Sequence, residues 1–168
     1  LKRQKVKKFK VQEFKVQRFG VAKVTSFEDL DIWKLARQLA KDIYVLGNKG
    51  HLSKDFELRN HLNKTAGSIM DNIAEGFERG GNREFVQFLS IAKGSAAELR
   101  SQVWRALDRE YISRSDFETL QEKSQTISKK ISNLMAYLQS SSLRGSKYAN
   151  EPLEQYGSQS SPTDHKEL

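Results

Sequence analysis

The sequence predicts an all-α fold, an antiparallel up-down four-helix bundle with disordered N- and C-terminal tails. Three observations predict it. Between Ser26 and Gln139 the apolar residues recur at steps of three and four, the period of a helix face. These residues fall into four stretches of about 20 to 27 residues, joined by short connections, as in up-down bundles. Nowhere does an apolar/polar alternation of period two argue for a strand.

The chain divides into a basic low-complexity leader (1–25), a helical region (26–139) and a Ser-rich tail (140–168). The leader repeats with a period of five, as in Lys10-Val-Gln-Glu-Phe14 and Lys15-Val-Gln-Arg-Phe19. That period fits neither helix nor strand, so no single face becomes apolar. It reads either as a disordered leader or translated repeat ahead of the true start, or as a basic arm. Residue 1 is Leu, which suggests a fragment, a processed form or a frame read from upstream.

The first helix is expected from Ser26, with Asp29 completing a capping box, to about Leu46 before Gly47-Asn48-Lys49-Gly50. Its apolar positions cover about half the circumference, wider than one stripe requires. The second starts after Ser53 or Asp55, carries Phe56, Leu58, Leu62, Ala66, Ile69, Ile73 and Phe77 on its face, and stops at Gly80-Gly81. Asn82 is expected to cap the third, whose stripe runs from Phe85 through Phe88, Leu89, Ala92, Ala96, Leu99 and Val103 to Leu107. Ser115 and Glu118 form a capping box for the fourth, where Phe117, Leu120, Ile127, Ile131, Leu134 and Leu138 keep near-heptad spacing, with Ser124 the polar gap.

Enzymatic machinery is not apparent, and no cofactor is implied. There are no cysteines, so thiolate chemistry and disulfides are excluded, which suits a cytoplasmic protein. His51, His61 and His165 lack the Glu-x-x-His spacing of a bundle metal site and are read as structural or solvated. Lys93-Gly94-Ser95 resembles the end of a phosphate loop but sits inside a helix. No apolar run is long enough to span a membrane.

Two surfaces are candidates for binding. The net charge of +8 resides in residues 1–24, where nine basic residues face Glu13 alone. Lys8, Lys10, Lys15 and Arg18 of this leader are candidate nucleic-acid contacts, as are Arg100, Arg105, Arg109 and Arg114 of the helical region. The second surface is an outer face of the third helix. Ile91, Gly94, Ser95 and Trp104 lie off its main stripe and are candidates for an oligomer interface, because a mid-helix glycine permits close approach of another helix.

Phe27-Glu-Asp-Leu30, Ser68-Ile-Met-Asp-Asn72-Ile-Ala-Glu75-Gly76, Arg79, Phe85, Phe88-Leu89, Ala92-Lys-Gly-Ser95 and Glu98-Leu99 form an ordered motif string. On it the sequence resembles the bacterial four-helix-bundle family that includes proteins encoded in intervening sequences of 23S ribosomal RNA genes. The family-motif residues here are Asn72, Glu75, Gly76, Arg79 and Glu98. The resemblance implies a homopentamer and a non-enzymatic, RNA-associated role. It also implies a relative in the accessory protein of diversity-generating retroelements, which binds a reverse transcriptase and nucleic acid, RNA or DNA. The stretch His61-Leu-Asn-Lys-Thr-Ala66 departs from the family pattern, in which a Gln and an Arg-Ala-rich stretch would stand.

Overall fold

A computed structural model describes residues 24–140. A 3-10 turn at Phe27–Asp29 leads into helix α1 (Asp31–Gly47), and a second turn at Leu52–Lys54 leads into α2 (Phe56–Glu78). Helices α3 (Asn82–Asp108) and α4 (Arg114–Ser140) complete the described chain, which contains the four helices that the periodicity requires. Each helix packs on its neighbours in sequence, and α1 meets α4 over the smallest area to close the ring.

The helix starts show where local chemistry decided and where the expectation needs correcting. Asp29 accepts from the backbone N–H of Thr25 (2.9 Å) and Ser26 (3.1 Å), but it caps the 3-10 turn, and α1 begins only after Leu30. Asp55 caps α2 by accepting from the Leu58 N–H at 3.0 Å. The α3 cap is Gly81, not Asn82, which is buried as the first helical residue. The α4 cap forms two residues before the expected box: Ser113 Oγ accepts from the Asp116 N–H (3.0 Å) and donates to its carboxylate (2.6 Å). Glu118 is left to pair with Arg114, one turn back. Ser113 wins because its three-residue offset to Asp116 satisfies an orphan N–H of the first turn.

The core is built from the expected stripes. Leu39 and Ile43 of α1, Ile69 and Ile73 of α2, Leu89 and Leu99 of α3, and Ile127 and Ile131 of α4 are all fully buried. Ser124 sits among them and donates to the Ala96 carbonyl at 3.0 Å, so the polar gap is satisfied by a neighbouring helix. Phe56 was expected on the core face and is instead 63% exposed, under the guanidinium of Arg59 at 4.8 Å. It occupies the first position of α2, beyond the end of the facing core. The broad apolar arc of α1 likewise leaves Tyr44 and Val45 outside.

At Gly76, α2 meets α3 with no room for a side chain. A Cβ there would lie 2.6 Å from Phe88 Cβ and 2.9 Å from the Phe85 ring, below any tolerable carbon–carbon contact. A glycine inside a helix costs about 1 kcal/mol relative to alanine. At Gly76 that cost is offset by the burial of Phe85 and Phe77, whose rings meet edge to face at 6.0 Å.

Gly76→Ala is therefore expected to destabilise the chain by about 1–3 kcal/mol despite alanine's higher helix propensity. Gly94→Ala, with nothing within 4 Å of the added carbon, raises stability by about 0.5–1 kcal/mol. Urea unfolding of both variants as dilute single chains checks the contrast. A second expectation concerns pH. Hydrogen bonds from the Thr25 and Ser26 amides hold Asp29 below the ordinary carboxylate range, and the Leu58 amide does the same for Asp55. A lowered folded-state pKa means that the stabilisation is complete above the unfolded value of about 4 and is lost as pH falls through the folded one. In Asp29→Asn/Asp55→Asn the fall of melting temperature below pH 4 is shallower than in the parent.

Candidate functional site

Helical spacing places His61, Thr65, Ser68 and Asn72 on one flank of α2, and Ser95, Glu98 and Gln102 on the facing flank of α3. They join in a polar seam along the α2/α3 junction. At one end, His61 Nε2 lies 3.1 Å from Glu98 Oε1. The amide nitrogen of Gln102 donates to that same oxygen (3.0 Å) and to Thr65 Oγ1 (2.9 Å). Gln102 is only 3% exposed, and its Oε1 has no partner among the described residues. Two acceptors thus hold the amide in one orientation, and its own oxygen is left unsatisfied.

At the other end the donation runs in one direction. Asn72 Nδ2 donates to the Ser68 carbonyl (2.7 Å) and Ser68 Oγ (3.1 Å). Ser68 and Ser95 hydroxyls are 2.9 Å apart, and Ser95 donates to the Ile91 carbonyl at 3.2 Å. With Asn72 supplying Ser68 and Ser95 committed to Ile91, Ser68 is the donor of the middle bond. The chain ends on a backbone carbonyl, so neither serine hydroxyl is aimed at a base. Beyond Gly76, the Arg79 guanidinium bonds Glu75 at 2.6 Å and lies over the Phe88 ring at 4.8 Å. The bond from Glu75 pushes Arg79 further above its already high pKa.

The motif residues Asn72, Glu75, Gly76, Arg79 and Glu98 therefore all lie along the α2/α3 pair, joined by contacts that organise that pair. His61, Thr65 and Gln102 are the seam members that sequence reasoning missed. His61, read as structural or solvated, reaches across to Glu98 on the next helix, a pairing that spacing within one helix cannot show. The signal that could have found it is the position of Thr65 and His61 one and two turns before Ser68.

The four interface candidates separate. Ile91 is 52% exposed, Gly94 has open space where a Cβ would be, and Ser95 is buried in the seam beside them. Trp104 lies about 180° round α3 from Ser95 at 100° per residue. It packs edge-on against Phe117 of α4, with ring centroids 4.3 Å apart. The arginines also disperse. Arg109 pairs with Asp55 at 2.6 Å and Arg114 with Glu118 at 2.9 Å, while the half-buried Arg100 has an unpartnered Nε among the described residues. Arg105, also half-buried, stands one turn before Arg109 on α3, where the Arg109 N–H bonds its carbonyl at 3.2 Å, so of the four arginines only these two are neighbours on one helix face. Lys8, Lys10, Lys15 and Arg18 lie outside the described residues. Among the described residues no group of three or more His, Cys, Asp or Glu side chains could hold a metal. None of the described helices is long and apolar enough to cross a membrane.

The family model described as 23S rRNA-intervening sequence protein matches residues 28–133, from the first turn to the last third of α4. The chain belongs to that family. The match excludes the whole leader and the whole Ser-rich tail, and it contains the entire α2/α3 seam. Among solved structures, the chain is similar to a protein of unknown function from the S23 ribosomal protein family of Bacteroides thetaiotaomicron. The two share 22% identity at a TM-score of 0.57, over 62% of this chain and 97% of that one. At that identity the likeness shows the fold alone. No curated protein matches the chain.

The seam predicts the behaviour of one charge change. Gln102→Glu sets a second carboxylate beside Glu98 and costs about 1–3 kcal/mol at pH 7. Repulsion raises the folded-state pKa of the pair, so the deficit is complete above that raised value and shrinks as pH falls towards the unfolded glutamate value of about 4.3. Chemical unfolding at pH 7 and pH 5 checks it: the gap from the parent is smaller at pH 5.

Proposed function

We propose that the chain is a non-catalytic, self-associating helical module of the cytoplasm that acts in association with RNA. The observation that carries self-association is Gly94. It stands mid-helix in α3 with open space around its missing side chain, next to an isoleucine that is 52% exposed. Gly76 has a reason inside the chain, the contact with Phe88, and Gly94 has none there. A backbone from outside the chain, approaching where a side chain would block it, accounts for both the glycine and the exposed Ile91. The wide apolar arc of α1, with Tyr44 63% exposed, gives the same reading independent support. The resemblance implies five copies in the assembly.

RNA association rests on the description of the family and on the concentration of basic residues in 1–24. The bundle itself is close to neutral, and Arg79, Arg109, Arg114 and Lys123 are each engaged by a carboxylate of their own chain. Binding is therefore expected to be electrostatic and to fall steeply with salt.

Analytical ultracentrifugation of the full chain tests self-association. The expected mass is a multiple of the 19.3 kDa chain, with Ile91→Glu reduced to single chains at unchanged helix content. Gly94→Ala keeps or gains stability as a single chain but weakens assembly. A wild-type chain that is monomeric at micromolar concentration overturns the proposal and favours an adaptor whose outer face docks another protein, such as a reverse transcriptase.

A further inference from the structure

The cleft between α1 and α4 is separate from the α2/α3 seam and from the Ile91–Gly94 face. It opens where the two least-packed neighbours diverge, near the end of α1 and the start of α4, and encloses about 280 Å³. Its walls carry an apolar strip, Val45 and Leu46 from α1 with Leu120 from α4, and three lysines, Lys41, Lys49 and Lys123. Two carboxylates also line it, and both are already committed. Asp42 holds Lys123 at 2.6 Å and accepts from Gln38 at 2.9 Å, and Asp116 is bound by Ser113 at the α4 cap. Lys41 and Lys49 are exposed and have no carboxylate within ion-pair distance among the described residues. Asp42 and Lys123 cancel each other and Asp116 keeps its negative charge, so the lining carries one positive charge in excess, beside an apolar wall.

We infer that this cleft binds a phosphate-bearing ligand, with Lys41 and Lys49 on the phosphate and the strip of Val45, Leu46 and Leu120 against a flat or apolar body. A nucleotide unit has both parts, an anionic phosphate and a base with an apolar face. Its volume requirement fits the lower end of small-ligand pockets, about 300 Å³. The lysines act as flexible point charges rather than as bidentate forks, which suits phosphate of varied orientation. The unit could come from a single RNA strand or from a free nucleotide. If it comes from RNA, the site is the bundle's own contact in the function proposed above; if it comes from a free nucleotide, the site stands without that function.

The full chain, labelled for backbone amide NMR, is titrated with adenosine monophosphate, with inorganic pyrophosphate and with a ten-residue oligouridine. The expected result is saturable shifts at the amides of Val45, Leu46, Thr119 and Leu120 with the nucleotide. Lys41→Ala/Lys49→Ala abolishes these shifts, and Lys41→Arg/Lys49→Arg, which keeps both charges, retains them. In the RNA arm, loss of two phosphate contacts on a single strand reduces the slope of log affinity against log salt by about 1.4, whatever residues 1–24 contribute to both chains. A response to oligouridine assigns the source as RNA, and a response to the mononucleotide alone assigns it as a free nucleotide. Pyrophosphate alone keeps the lysine contact but overturns the role given to the apolar strip. If no probe moves these amides, or the alanine variant responds like the parent, the inference is overturned. In that last case RNA binding by the alanine variant would leave the proposed function standing.

Discussion

The contact on which the rest of the structure depends is that of Gly76 with Phe88. Because a β-carbon at position 76 would lie 2.6 Å from Phe88 Cβ, α2 and α3 meet there at a separation that only glycine allows. That approach holds the two helices close at the end of α2. At this separation short side chains can bridge, which is why serine meets serine at 2.9 Å and a glutamine reaches both Thr65 and Glu98. A wider junction would need long apolar residues to fill it, and these hydroxyls would lose their partners.

The same constraint separates the two kinds of glycine in the helices. Gly76 is required by a neighbour of the same chain, and Gly94 faces open space. Sequence treats both as one unfavourable residue within a helix, worth about 1 kcal/mol each. Their surroundings differ: one packs against α3, and the other lies on a face that nothing in the described chain covers. The cationic side chains divide in the same way. Arg109 ties the end of α3 to the cap of α2 through Asp55, whereas Lys41 and Lys49, which line the α1/α4 cleft, make no ion pair among the described residues.

The buried polar groups are concentrated on the α2/α3 side of the bundle. Thr65, Ser95 and Gln102 lie there, with Ser124 separately bonded to Ala96. Such groups add little net stability, because each exchanges a bond to water for one to protein. What they specify is register: a slip of α3 against α2 by one turn would break the bonds that cross the junction, Gln102 to Thr65, Ser68 to Ser95 and His61 to Glu98. The apolar stripe tolerates such a slip far better, since leucine, isoleucine and alanine occupy it at every turn.

By itself the sequence determined the helix count, the core stripes, the glycine ends and the family, because period, breakers and motif order are local and survive any packing. Phe85, Leu99 and Ile127 could be assigned to the core for that reason. Cap positions were legible only to within two residues, since Ser113 and Ser115 are both competent and the choice depends on which first-turn amide is left unpaired. Only tertiary structure decided that His61 belongs with Glu98, that Gln102 is buried against Thr65 and Glu98, that Phe56 falls outside the core, and that Trp104 packs on Phe117 of α4. The physical reason is that each of these depends on the distance and rotation between helices, which for α2 and α3 includes the missing β-carbon at Gly76.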